Sequence, residues 1–282
     1  MKKLIFFFFQ DLIFYKKDIN QRNLVIYNDT IGQQILTDGF YEKSLVDNIL
    51  NSFDFDSSKT VCVDVGSNIG NHIVQFSAKF SHCFGFEPQL RTFRILELNT
   101  EYIQNITVFN YGLSELNQKV DFKIPISHTG GASFNLNLNE NFYKEEVDLR
   151  NFDEMLIDEI SYIKIDVEGN EFDVINSMKN SIMKSKPVIS LEISGDKLER
   201  QRIIDFLSSF NYNKYYIPKK HFSDSLNAPS FIKYPIKFLL KAFFPLKNNC
   251  LQQIDKKEIF KHEFIQLLTI TAEDSKFKIK NN

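Results

Sequence analysis

The sequence predicts an α/β protein built on a mostly parallel sheet of seven strands, with helices on both faces. Three observations carry that prediction. Short β-branched runs such as Val61 to Val65 alternate with stretches whose apolar residues recur at helical spacing. The first run stops at Gly66, and Gly70 follows where a helix with Ile73, Phe76 and Phe80 on one face begins. The composition, 43% hydrophobic and 25% charged over 282 residues, is that of a globular protein large enough for one big domain or two small ones.

Residues 1–60 are expected to form an N-terminal cap of helix and strand. Lys2 and Lys3 precede the apolar run Leu4 to Phe9, which Gln10 and Asp11 then break. No small-residue cleavage site follows and the run is too short to span a bilayer, so a packed or interfacial helix is expected. Asn23 to Tyr27 reads as a short strand, and Tyr41 to Phe53 as a helix with Leu45, Ile49 and Phe53 along one side.

The α/β domain is expected over 61–271. Strand one is Val61 to Val65 and strand two Cys83 to Phe86, followed by Glu87-Pro88 and a helix through Phe93, Leu96 and Leu98. Strand three is Ile106 to Asn110. Val120, Phe122 and Ile124 then alternate, as do Phe134, Leu136 and Leu138, and Val147 and Leu149, with a turn at Gly130-Gly131. This reads as a β-rich insertion at about 117–150 over the edge of the sheet. Asn151 with Glu154 three residues on has the form of a capping box. Strand four, Tyr162 to Ile165, ends at Asp166, and a helix follows with Phe172, Ile175 and Met178 on one side. Strand five, Val188 to Ile193, contains Glu192. A helix through Ile203, Phe206, Leu207 and Phe210, a sixth strand at Tyr215 to Ile217 and a last one at Phe264 to Thr271 complete the domain.

A basic aromatic insertion at about 218–262 separates the last two strands. From Lys214 to Lys247 seven lysines stand against one acid, Asp224, and Lys233, Lys237 and Lys241 fall at i, i+4 and i+8 among phenylalanines. Such a helix either lies on an anionic membrane surface or covers the sheet with its lysines solvated. The net charge of −2 provides no global basic field, which argues against nucleic acid as the partner. Cys62, Cys83 and Cys250 have neither metal-type spacing nor a disulfide framework. That fits a reducing compartment, so a cytoplasmic protein is expected, peripheral to the membrane's inner face if the basic helix docks there.

Ligands of an open parallel sheet bind at the C-terminal ends of its strands. The residues expected there are Asp64 to Gly70, Glu87, Asn110 to Gly112, Asp166 to Glu171 and Glu192. Carboxylates are rarely buried unless they bind something. Glu87, ending the second strand, stands where a carboxylate accepts hydrogen bonds from both hydroxyls of an adenosine ribose; otherwise it is a helix cap or surface charge ahead of Pro88. A dinucleotide fingerprint requires glycine where Asn68 stands, so a pyrophosphate fits poorly. Asp64, just before the turn, repels phosphate and suits a cationic ligand. S-adenosylmethionine meets these conditions, with an adenosine for Glu87 and an ammonium and a sulfonium for carboxylates.

Val-Asp-Val-Gly-Ser-Asn-Ile-Gly at 63–70, Phe-Glu-Pro at 86–88 and Ile-Lys-Ile-Asp-Val-Glu-Gly-Asn-Glu at 163–171 resemble the FkbM family of S-adenosylmethionine-dependent methyltransferases. Gly39-Phe40-Tyr41-Glu42 and Val188 to Glu192 are weaker matches, and the resemblance covers roughly residues 38–215. It implies a Rossmann-like class I methyltransferase fold. It also implies that Gly66, Asn68 and Gly70 pass the methionine part of the cofactor and that Glu87 holds the ribose. Gly112 and Leu113 then lie near the adenine, and Asp166 stands nearest the transferring methyl; Asp64, Ser67 and Pro88 complete the cofactor set. The family commonly O-methylates sugars and other hydroxyl-bearing metabolites, including surface polysaccharide precursors. The implied activity is therefore O-methylation of a sugar or glycan.

A sugar hydroxyl is a weak nucleophile, so a base or a metal must help remove its proton. Asp166 and Glu168 are the candidate bases, with Glu192 the third carboxylate of the catalytic set. A second version has Asp166, Glu168 and Glu192 holding Mg²⁺. His72 and His128 are further candidate bases. Two other function classes stay open. A nucleotide-binding oxidoreductase lacks its second glycine here, and a non-catalytic cofactor-binding protein has no use for the Asp166 and Glu168 carboxylates.

Overall fold

The computed structural model describes residues 24–25, 31–32, 35, 39–53, 59–125, 142–167, 169–194, 197–218, 251–261 and 264–271. The chain begins with helix α1 (Lys43–Ser52), strand β1 (Val61–Val65), α2 (Asn71–Ser77), β2 (His82–Phe86), α3 (Leu90–Thr100) and β3 (Ile106–Phe109). Three strands of a second sheet follow, β4 (Gly112–Leu113), β5 (Gln118–Pro125) and β6 (Phe142–Arg150). A 3₁₀ turn (Phe152–Met155) then leads back to β7 (Ile160–Ile165), α4 (Glu171–Ser177), α5 (Lys179–Ser185), β8 (Val188–Ser194) and α6 (Lys197–Ser208). The last elements are β9 (Tyr212–Pro218), β10 (Leu251–Ile254), α7 (Lys256–Ile259) and β11 (Phe264–Thr271).

The main sheet runs in the order β3-β2-β1-β7-β8-β11-β9-β10. β1 pairs in parallel with β2 on one side and β7 on the other, so the strand order reverses between β1 and β7. Because helices cover both faces, alternate residues of one strand enter different cores. Val63, Val65, Ile163, Ile165 and Leu191 pack with Phe172, Ile175, Ile203 and Leu207 of α4 and α6. Cys62, Tyr162 and Val188 pack on the other face with Val46, Ile49, Ile73 and Phe76 of α1 and α2. Each such large apolar side chain contributes about 1.5–3 kcal/mol by leaving water.

The small sheet, in the order β4-β6-β5, joins β5 and β6 antiparallel from Gln118↔Leu149 to Pro125↔Phe142. Its apolar face gathers Phe122, Ile124, Val147 and Leu149. Polar contacts fix it to the start of α3: Gln89 Nε2 donates to the Tyr143 hydroxyl at 3.1 Å, and the Leu90 N–H donates to Glu145 Oε1 at 2.7 Å.

The Rossmann-like α/β architecture is as predicted, with three corrections. The main sheet has eight strands, not seven, because β10 adds an antiparallel edge beside β9. β10 was not legible because only its two ends, Leu251 and Ile254, are buried. The Asn151–Glu154 capping box does not form. Asn151 Oδ1 accepts instead from the Asp153 N–H in a 3₁₀ turn, while Glu154 binds Asn117. Leu24 and Val25 belong to no strand, and the Asn99 amide exchanges two hydrogen bonds with the Leu24 main chain. The apolar N-terminus, the Gly130-Gly131 turn, His128, Glu168 and the lysines 233, 237 and 241 lie outside the described residues. Among the described residues, no helix is long and apolar enough to cross a membrane.

Candidate active site

β1 and β7 end side by side, and the loop after β1 must pass very close to the loop after β7. Gly66 makes that passage with φ +77°, and a Cβ there would fall 1.9 Å from the Asp166 carbonyl oxygen. The loop then folds on itself. The N–H groups of Gly66 and Ser67 both donate to the Phe86 carbonyl at 3.0 Å, and Gly70 donates to the Ser67 carbonyl at 2.9 Å. Asn68, also in the left-handed region at φ 50°, donates its N–H to Glu87 Oε2, and its side chain caps the Ile69 N–H. The loop's N–H groups are all committed inside the protein. None of the N–H groups of residues 66–70 is left to cradle a phosphate.

Glu87 follows β2 with both carboxylate oxygens engaged, Oε2 by the Asn68 N–H and Oε1 by the Gln89 N–H, each at 3.0 Å. Asn110 Nδ2 fixes the same bend by donating to the carbonyls of Glu87 and Pro88. Burial pushes the Glu87 carboxyl up to about 7, although the two N–H donors pull it the other way.

A chain of charges runs along the face of the sheet that α1 and α2 cover. Asp64 on β1 and Lys164 on β7 are register partners, and Asp166 follows Lys164 on the same face. Lys164 Nζ lies 3.4 Å from Asp64 Oδ1 and 3.2 Å from Asp166 Oδ2. Burial alone would lower the Lys164 ammonium, but the carboxylates of Asp166, Asp64 and Glu192 reverse that and hold it above the ordinary lysine range.

The opposite wall is the turn before α1. Asn71 exchanges two 2.9 Å hydrogen bonds with the Tyr41 main chain, and Gln75 Nε2 adds a third to its carbonyl. His72, between them on α2, faces Glu42 with Nε2 3.5 Å from Oε2. The first turn of α2 therefore holds Tyr41 and Glu42 against the sheet. Burial, then the carboxylates of Glu42, Glu192 and Asp166, push the Tyr41 hydroxyl up to about 12.

These walls enclose a cavity of about 270 Å³ at the C-terminal ends of β1, β2 and β7. Of the residues predicted from sequence, Gly66, Ser67, Asn68, Glu87, Pro88, Gly112, Leu113, Asp166 and Glu192 line it. Two do not. Asp64 is fully buried beneath the cavity and spends its charge on Lys164, so its expected contact with a cationic ligand is corrected to an indirect one. Gly70 has φ +93°, and a Cβ there would fall 2.9 Å from Leu96 Cδ1 of α3. Tyr41, Glu42 and Lys164 also line the cavity and had been given no role, and Asn170 of the expected 166–171 stretch joins them. Lys164 was hidden because it sits inside an apolar strand run, and its partners become visible only through strand register. Among the described residues no three His, Cys, Asp or Glu side chains gather as a metal site, and the Lys164 ammonium already occupies the position between Asp64 and Asp166.

Comparison with known proteins gives this geometry a family. Residues 64–214, more than half of the chain, match the methyltransferase FkbM domain. The chain is 30% identical over 132 residues to hexuronic acid methyltransferase AglP of Haloferax volcanii, a match covering 45% of this chain and 53% of AglP. It thus spans about half the length of that curated relative. A methyltransferase FkbM structure from Methylobacillus flagellatus KT aligns with TM-score 0.40 and 19% identity over 58% of this chain and 43% of its own. The precorrin-6y C5,15-methyltransferase structure from Geobacter metallireducens GS-15 aligns with TM-score 0.42 and 11% identity, over 83% of this chain and 94% of its own. With likeness at that level, the assignment rests on the matched domain: the chain belongs to the methyltransferase FkbM family.

Proposed function

We propose that the chain transfers a methyl group from S-adenosylmethionine to a hydroxyl of a sugar or glycan. The single observation that carries the donor is the Glu87 carboxylate, set just past β2 and bonded to the 66–70 loop, whose own N–H groups are all engaged. Each of its oxygens accepts one backbone N–H and keeps a lone pair, which suits a pair of ribose hydroxyls. Gly112, Leu113, Phe122 and Leu149 supply an apolar wall for the adenine. A Cβ on Gly112 would fall 2.7 Å from Leu149 Cδ2, so glycine keeps that wall open.

When bound, the nucleoside supplies a methyl group activated on a sulfonium sulfur. The protein's own residues supply the rest. Asp166, just past β7, and Glu192, on the adjacent β8, line the cavity as carboxylates able to orient an acceptor hydroxyl and take its proton. Tyr41 and Glu42 add a ring and a further hydrogen-bond acceptor on the opposite wall. Rigid pinning of that wall by Asn71 and Gln75 favours rate through orientation. The hexuronic acid named for AglP supports a carbohydrate acceptor. Mass spectrometry of surface glycans from cells with and without the gene tests this. Loss of a sugar methyl ether is the expected outcome, whereas unchanged glycans contradict a glycan acceptor.

A further inference from the structure

Lys164 is a cation set in the wall of a cavity otherwise rich in carboxylates. Its two carboxylate partners are not equivalent. Asp64 is fully buried and neither of its oxygens accepts a hydrogen bond, so its compensation comes from Lys164. Asp166 is 30% exposed and lines the cavity. Lys164 itself is 6% exposed and reaches the same space. An ion pair buried like this is seldom worth more to stability than well-packed apolar residues. Its position against the cavity points to a role in what the cavity holds.

We propose that Lys164 is a positioning and specificity residue which, by sharing its ammonium between Asp64 and Asp166, sets how strongly the cavity prefers a charged sulfonium over the neutral thioether left after transfer. The inference rests on the donor reading above. S-adenosylmethionine and S-adenosylhomocysteine differ at the sulfur alone, by one methyl group and one positive charge. The ratio of their affinities therefore reports the local charge. With the ammonium in place, the field of Asp166 is largely cancelled. Without it, Asp166 and Glu192 face the cavity with less compensation. Charges several ångströms apart in a partly shielded site interact strongly enough to move an affinity severalfold. The lysine thereby limits ground-state binding of the donor, which leaves more of the interaction for the transition state.

Calorimetric titration of the full chain with each nucleoside separately tests this. K164Q should raise the preference for S-adenosylmethionine over S-adenosylhomocysteine about fivefold, K164R should keep the wild-type ratio within about twofold, and D166N should lower it about threefold. A purely structural lysine would weaken both ligands together and leave the ratio unchanged, which overturns the proposal. If K164Q does not fold, the D64N–K164M pair, which strands no buried charge, should raise the ratio as K164Q would. An unchanged ratio there and in D166N overturns the proposal equally. A wild-type chain that binds neither nucleoside overturns the donor reading, and this inference with it. A chain that binds both with an unchanged ratio in the variants overturns the role of Lys164 alone.

Discussion

The Asn68 N–H donates to Glu87 Oε2 at 3.0 Å, so the loop that leaves β1 is fastened to the residue that follows β2. The carboxylate proposed to hold the ribose is therefore also the one that shapes the loop. Replacing it separates the two roles. E87Q keeps an acceptor for one N–H and should fold while losing about tenfold or more in S-adenosylmethionine affinity. E87A strands both the Asn68 and Gln89 N–H groups and should in addition cost about 1–3 kcal/mol of stability. Calorimetry and urea unfolding on the two variants measure these effects; unchanged affinity in E87Q would remove Glu87 from the donor site.

Binding should depend on pH through the same group. Burial raises the Glu87 carboxyl to about 7. Two ribose hydroxyls donating to it favour the charged form. Affinity for S-adenosylmethionine should accordingly weaken as pH falls below 7, by up to about tenfold per pH unit, and level off above it. E87Q should flatten that profile. Titrations between pH 6 and 8.5 check this.

Two glycines with similar backbone angles should respond very differently to alanine. Gly66, at φ +77°, has the Asp166 carbonyl oxygen 1.9 Å from the position of a Cβ. Gly169, at φ +97°, has nothing within 4 Å. G169A should cost only the conformational penalty, about 1–2 kcal/mol. G66A must in addition push apart the ends of β1 and β7, and should cost more than about 3 kcal/mol and abolish cofactor binding. Thermal unfolding of both variants compares them directly.

Glu171, at the start of α4, is raised by burial from 4.5 to about 7, against the opposing effect of the Gly169 N–H that it accepts. The native chain thus holds a proton that the unfolded chain releases. The resulting stability is fully present below pH 4.5 and is lost as pH rises through about 7. Wild-type stability should fall relative to E171Q by about 1–3 kcal/mol between pH 4.5 and pH 8. Urea unfolding of both proteins at the two pH values tests the difference.

What the sequence made legible was local. The β1 run, the Gly66 turn, Glu87 after β2 and Asp166 after β7 all announce themselves by position relative to an apolar strand. What stayed hidden depends on pairing across the fold. Lys164 acquires its role only from its register with Asp64 on β1. Tyr41, with Glu42 next to it, reaches the cavity because Asn71 and Gln75 of α2 hold the Tyr41 main chain, which no periodicity encodes. β10 escaped notice because Gln252 and Gln253 at its centre are exposed and give no alternation. Gly70 and Asp64 were identified as important, but neither lines the cavity.

The most direct measurement is calorimetric titration of the whole chain with S-adenosylmethionine and, separately, with NAD. With the loop's N–H groups committed internally and Glu87 facing the cavity, saturable one-to-one binding of S-adenosylmethionine and no binding of NAD is the expected result. Binding of NAD, or failure to bind either S-adenosylmethionine or its demethylated product, would contradict it.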